Sequence, residues 1–98
     1  MTYELGFLAS AQKEWRKLDP NTRAILKKKL AERLQNPHVP ASKLTGSDNR
    51  YKIKLRSIGY RLIYEVRDHQ VLVIVVAIGK RNRGDVYAVA SKRVVDGN

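Results

Sequence analysis

The chain begins with an alternation. Tyr3, Leu5 and Phe7 are separated by polar or small residues, the period-two pattern of a strand. The rhythm then changes. Leu8, Ala11, Trp15 and Leu18 follow steps of three and four, which predicts a helix. Asp19-Pro20 predicts the start of a second helix, with Asp as N-cap and Pro at the first helical position. Leu26, Leu30 and Leu34 share one face of it, and Lys27, Lys28, Lys29 and Arg33 fall mostly elsewhere. Asn36-Pro37 stops it. Residues 37–50, PHVPASKLTGSDNR, read as a loop with Lys43 and Leu44 as candidate anchors. Three strands are expected at about 51–56, 60–67 and 71–79. The last is apolar on both faces, as suits a central strand. Residues 85–93 predict a short helix and 94–98 a flexible tail. No repeat or linker is visible, so the reading is one domain, 1–98. Its order is β-α-α-β-β-β-α. That order predicts an α+β fold of two layers, a small antiparallel-rich sheet with helices packed on one face, led by an N-terminal helical hairpin.

Alternation also predicts the register of the first hairpin, YKIKLRSIGYRLIYE at 51–65. A turn with Ile58 and Gly59 at its centre sets Arg56 opposite Arg61 and Glu65 opposite Lys52. Tyr51, Ile53 and Leu55 then share a core face with Leu62, Tyr64 and Val66. Lys52, Lys54, Arg56 and Arg61 line the other face, where Glu65 is the local acid. A slip of one residue would put Arg61 into the core, so the apolar pattern rejects it. Like charges opposed across two strands are unfavourable. A row of them suggests a phosphate-binding surface; the plainer reading is a solvated polar face.

Charge strengthens the first reading. The 98 residues carry 20 Lys and Arg against 9 Asp and Glu, a net charge of +11, which points to a polyanionic partner. At 43% hydrophobic residues the chain can bury a modest core. It has no cysteine, which removes disulfides and thiolate metal sites and suits a reducing cytoplasm. The N-terminal stretch has no signal-peptide core, and the longest apolar run, 71–78, is too short to span a bilayer. A cytoplasmic protein without membrane contact is expected.

The residue types narrow the chemistry. His38, in a Pro-flanked loop, and His69, in a predicted turn, read as solvated side chains with no carboxylates at ligand spacing. No Gly-rich phosphate loop or Ser nucleophile motif is present, and no metal or cofactor is expected. A reaction that chiefly needs positive charge remains: cleavage of RNA by its own 2′-hydroxyl. The nucleophile lies on the substrate, and the protein must align it, stabilise phosphoryl charge and move protons. Positive neighbours ease the loss of a proton from an acid–base group set among them. Lys52 and Lys54, flanked by Arg56 and Arg61, occupy such a place. So would Tyr87, if its helix folds back over the site; otherwise it is a packing residue. A second basic cluster, Lys80, Arg81 and Arg83, follows the last strand.

KEWRKL at 13–18, LKKKL in the second helix, KL-x-G at 43–46, YKIKLRSIGYRLIYEV at 51–66, and IGKR at 78–81 followed by VY at 86–87 together resemble the RelE toxins. These belong to the RelE/ParE superfamily of bacterial type II toxin–antitoxin systems. The resemblance runs from about residue 3 to residue 93. It implies a fold like that of small microbial ribonucleases. It implies a ribosome-dependent endoribonuclease that cuts messenger RNA in the ribosomal A site of the 70S ribosome, near 16S ribosomal RNA, leaving a 2′,3′-cyclic phosphate and a 5′-hydroxyl. It also implies a RelB-type antitoxin that wraps the toxin and co-represses their operon, so that operator DNA is met only through the complex.

The match assigns catalytic positions to Lys52, Lys54, Arg61, Arg81 and Tyr87. Arg61 would hold the scissile phosphate. Arg81 would stabilise the transition state and serve the leaving 5′-oxygen. Either Lys54 or Tyr87 would take the 2′-hydroxyl proton, and Tyr87 has base stacking as a second role. Arg56, Lys43, Lys80 and Arg83 are expected RNA contacts, as are Lys27 and Lys28, for which a solvated helix face is an equal reading. Thr45 departs from the pattern, since the best-known relative has Arg there. Two other classes compete. A ParE-type toxin would poison DNA gyrase without nuclease activity, and such relatives generally lack this Lys/Arg/Tyr set. A non-catalytic RNA-binding module would use the same cations for affinity alone.

Overall fold

Asp19 caps its helix as its position predicts. Its carboxylate accepts from the Thr22 amide at 3.1 Å and from the Thr22 hydroxyl at 2.6 Å. The computed structural model describes residues 2–80 and 85–95. From this cap α2 (Pro20–Gln35) follows α1 (Ala9–Arg16), which itself follows β1 (Glu4–Phe7). Then come β2 (Arg50–Leu55), β3 (Tyr60–Arg67), β4 (Leu72–Lys80) and α3 (Asp85–Lys92), in the predicted order. The sheet runs β1-β4-β3-β2. β1 lies parallel to β4, and the other pairs are antiparallel.

Two apolar clusters occupy opposite faces of this sheet. Leu26 and Leu30 of α2 and Ala11 of α1 pack on Tyr51, Ile53, Leu62, Tyr64 and Val75. Val86 and Ala90 of α3 pack on Ile63, Val76 and Ala77. The expectation of helices on one face is therefore corrected. α3 covers the second face, which makes three layers where it lies. A bulge permits this. Ile63 pairs with Ala77 but Tyr64 pairs with Val75, so Val76 is the extra residue. Val76 and Ala77 both face α3, while Val75 and Ile78 face the helical hairpin. α3 packs close to Gly79, where a Cβ would make van der Waals contact with Val86, 3.4 Å from its Cβ. The two described residues of the expected tail differ from each other. Val95 is buried in the α3 cluster, although Val94 is 79% exposed.

Two polar side chains read as surface groups instead hold the loop after α2. Arg33 donates to the Lys52 carbonyl at 3.1 Å, the Tyr64 hydroxyl at 2.9 Å and Ser42 Oγ at 3.2 Å. His38 bridges the Tyr51 hydroxyl and Asp68, at 2.9 and 2.8 Å. Asp68 also accepts from the Tyr3 hydroxyl at 2.7 Å. The bonds from His38 and Tyr3 hold the Asp68 carboxyl below its usual range. The Thr22 bonds do the same for Asp19. A carboxylate depressed in the folded state favours folding fully above its unfolded pKa, and that contribution fades as pH falls through the folded value. Urea unfolding from neutral pH down through the carboxylate range should therefore show an acid limb. Asp68→Asn and Asp19→Asn should each make that limb shallower, and an unchanged slope would show that these bonds do not couple to folding.

Candidate active site

The hairpin keeps the predicted faces with a different register. Lys54 lies opposite Arg61, Lys52 opposite Ile63, and Arg50 opposite Glu65. The turn therefore holds four residues, 56–59, with Gly59 at φ +78° and its amide bonded to the Leu55 carbonyl at 2.7 Å. The shift from the expected pairing is two residues. A two-residue shift preserves side-chain parity, which is why the faces survive the error. Arg56 is an exposed turn residue rather than the cross-strand neighbour of Arg61. Glu65 does not compensate Lys52. It is buried, and it accepts from Arg50 Nε and Arg67 Nη1, each at 2.9 Å.

α3 brings Tyr87 onto this face. Arg61 Nη1 donates to the Tyr87 hydroxyl oxygen at 2.8 Å. The Arg61 Cζ also lies 5.4 Å from the centre of the Tyr87 ring, a cation–π distance. One donor thus fixes both the guanidinium and the phenol. Lys52, Tyr87, Ala90 and Ser91 line a groove of about 730 Å³. Loop residues 44–49, Thr45 among them, and Arg50 of β2 complete its lining. The volume is within the range of small-ligand sites. Asp48 is the one carboxylate among the lining residues. The strand row itself exposes Lys52, Lys54 and Arg61 to a degree, whereas Glu65 is closed off.

Four of the five expected catalytic residues thus fall in the described region. Lys54, Arg61 and Tyr87 are linked by register or contact, and Lys52 shares the groove with Tyr87. Arg81 lies outside the described residues, as does Arg83. Lys80 is exposed at the end of β4, paired with Tyr60. Lys43 is exposed and bridges Tyr51. Lys27 and Lys28 are exposed on α2, whose buried leucines pack on the opposite face of the sheet, so the fold does not bring them to the strand row. Arg50 was not singled out from the sequence. Its parity with Lys52 and Lys54 was the available signal, masked by its place at the end of a polar loop. Among the described residues no group of three or more His, Asp or Glu is placed to hold a metal ion, and no helix is long and apolar enough to cross a membrane.

Residues 5–84 match the model of a family described as the ParE toxin of type II toxin–antitoxin systems, parDE. The chain is 53% identical over 95 residues to the mRNA interferase toxin RelE of Escherichia coli K12, covering 97% of this chain and all of that one. A free-state structure of an arginine-to-alanine double variant of Escherichia coli RelE superposes with a TM-score of 0.89, at 50% identity, covering 97% of this chain and all of that one. The toxin in the intact Escherichia coli RelBE toxin–antitoxin complex superposes with a TM-score of 0.79, at 53% identity, over 83% of this chain and 99% of that one.

Proposed function

We propose, for a chain that belongs to the ParE toxin family of type II toxin–antitoxin systems and to its RelE branch, that the basic face is the active site of an mRNA interferase. The observation that carries this reading is the contact of Arg61 with Tyr87 at 2.8 Å beside Lys52 and Lys54. The substrate is messenger RNA in the A site of the 70S ribosome. The 2′-oxygen attacks the adjacent phosphorus, the new P–O2′ bond forms, and the P–O5′ bond breaks. Arg61 holds the phosphate, with Lys52 and Lys54 lowering the cost of added negative charge. Lys54 or Tyr87 takes the 2′-hydroxyl proton. Arg81 is assigned the leaving 5′-oxygen by the family match. The chemistry asks for no metal or cofactor, because every group it uses is a side chain or part of the RNA.

The toxin works in the cytoplasm, where its partner is a RelB-type antitoxin encoded beside it. Their complex, rather than the toxin alone, binds operator DNA and represses the operon. Arg56, Lys43, Lys80 and Arg83 make further RNA contacts. Lys27 and Lys28 lie on the far side, where they would meet ribosomal RNA rather than the message. The gyrase-directed alternative is not favoured: the family model bears the ParE name, but the relative at 53% identity is a RelE mRNA interferase.

The test is to incubate programmed ribosomes with the protein and map message ends. The expected product is a cut within the A-site codon that leaves a 2′,3′-cyclic phosphate and a 5′-hydroxyl. The antitoxin should abolish it. Binding to ribosomes without a cut would overturn the nuclease reading in favour of a plain RNA-binding module.

A further inference from the structure

One arginine of the basic row is turned onto the protein itself. Arg50 begins β2, two positions before Lys52, so it shares the parity of the row. Its Nη1 donates to the Ala90 carbonyl and its Nη2 to the Arg93 carbonyl, each at 2.7 Å. Its Nε donates to Glu65 at 2.9 Å. All three guanidinium nitrogens are therefore engaged. One acceptor, Ala90, is in the last turn of α3 and the other, Arg93, directly follows the helix, three and six residues after Tyr87.

The chemistry suits that end. The last carbonyls of a helix lack intrahelical donors and carry the negative end of its dipole. A planar guanidinium offers two parallel donors and a charge of the right sign. Glu65, held also by Arg67, fixes the fork from below. α3 needs such an anchor. It has 8 residues, too few for a helix that is stable by itself. It buries only Val86 and Ala90. Arg93 adds a second tie, donating to Glu14 of α1 at 2.9 Å and to the Val76 carbonyl at 2.9 Å. Tyr87 and Ala90 are three residues apart, hence on adjacent positions of one helix face. A displacement of the helix end moves the phenol with it.

We infer that Arg50 is a positioning residue for Tyr87: by clamping the end of α3 and the residue after it to β2, it keeps the Tyr87 phenol on Arg61. Its effect on catalysis rests on the nuclease reading above; its effect on the position of Tyr87 does not. The clamp serves chemistry more than binding, because a misplacement of about 1 Å can lower a rate by up to a hundredfold.

The experiment uses Arg50→Ala and Arg50→Lys in the full chain, each alone and combined with Tyr87→Ala. NMR follows the Tyr87 ring signals and the amide exchange of α3. Multiple-turnover assays against the concentration of programmed ribosomes give kcat and KM. In Arg50→Ala, the Tyr87 signals should shift and the α3 amides should exchange faster, while β3 and β4 stay protected. The kcat should fall about tenfold to a hundredfold with KM unchanged. The lysine variant, which keeps the charge but loses the fork, should recover part of both effects, and it decides the matter if the alanine variant does not fold. In the Tyr87→Ala background, Arg50→Ala should cost nothing more. Unchanged Tyr87 signals would overturn the proposal, and so would additive losses in the double variant. If Tyr87 shifts in Arg50→Ala but the wild-type protein does not cut, the clamp is upheld and the nuclease reading falls.

Discussion

Arg61→Ala should lower A-site cutting by at least about a hundredfold while leaving the fold intact. The magnitude is that of losing one preorganised donor to a charge that grows in the transition state. The geometry argues for more than a lost charge. Arg61 stands opposite Lys54 and donates to the Tyr87 oxygen. Its removal therefore releases the phenol and, on the proposed assignment, also takes the phosphate ligand. Arg61→Lys should restore little, because an ammonium cannot both face a phosphate in planar fashion and hold Tyr87. Tyr87→Phe separates the two parts. It keeps the ring over the guanidinium and deletes the oxygen. If Tyr87 is the base, this variant falls nearly as far as Arg61→Ala; if Lys54 is, it stays much closer to wild type. End mapping on programmed ribosomes reads all three. Cutting by Arg61→Ala at the wild-type rate would sink the site assignment, whatever the fate of the nuclease reading.

Arg33→Ala should be the most damaging of the polar substitutions away from the site, costing about 2–3 kcal/mol. The side chain crosses from α2 to the back of the sheet and supplies donors to Lys52, Tyr64 and Ser42. Tyr64 is fully buried and gives its own proton to the Pro37 carbonyl at 2.7 Å, so losing Arg33 leaves its oxygen without that donor. Burial pushes the Tyr64 hydroxyl up, and the neighbouring Arg33 partly offsets that. In a domain of this size the loss corresponds to a melting temperature lower by about 10 °C or more. Because Arg33 also holds the carbonyl of Lys52, the variant should lose cutting activity at temperatures where it is still folded. A melt within a degree or two of wild type would show that the bonds are replaceable by solvent.

The order of elements was legible because each carries its own local signal. Asp19-Pro20 opens α2, Asn36-Pro37 closes it, and the alternation from Tyr51 to Val66 assigns the two faces of the hairpin. The pairing within the hairpin was not legible to the residue. Registers that differ by two share the same parity, and the composition of the turn does not choose between two and four central residues. The layer containing α3 was missed for a related reason. Val73 to Ile78 is apolar throughout, and no pattern in it announces the bulge at Val76 that feeds both faces. His38 and Arg33 looked like solvated polar residues, because their partners are far away in the chain.

The sequence by itself determined what is local or periodic: the helices and their caps, the strands, the sidedness of the cationic row, and its likeness to a toxin family. The elements and the sidedness follow from spacing, which is written in the chain; the likeness rests on the matching motifs. Tertiary structure decided which of the aligned cations is turned onto the backbone of the protein and which is set against a phenol. Arg50, Lys52, Lys54 and Arg61 have the same sign and the same parity. Only the packing of α3 across the sheet gives Arg61 a phenol to hold and Arg50 two carbonyls, while the hairpin register sets Arg50 against a buried carboxylate. Charge alone does not separate these roles, because the partner that fixes each one comes from residues 15 to 43 positions further along the chain.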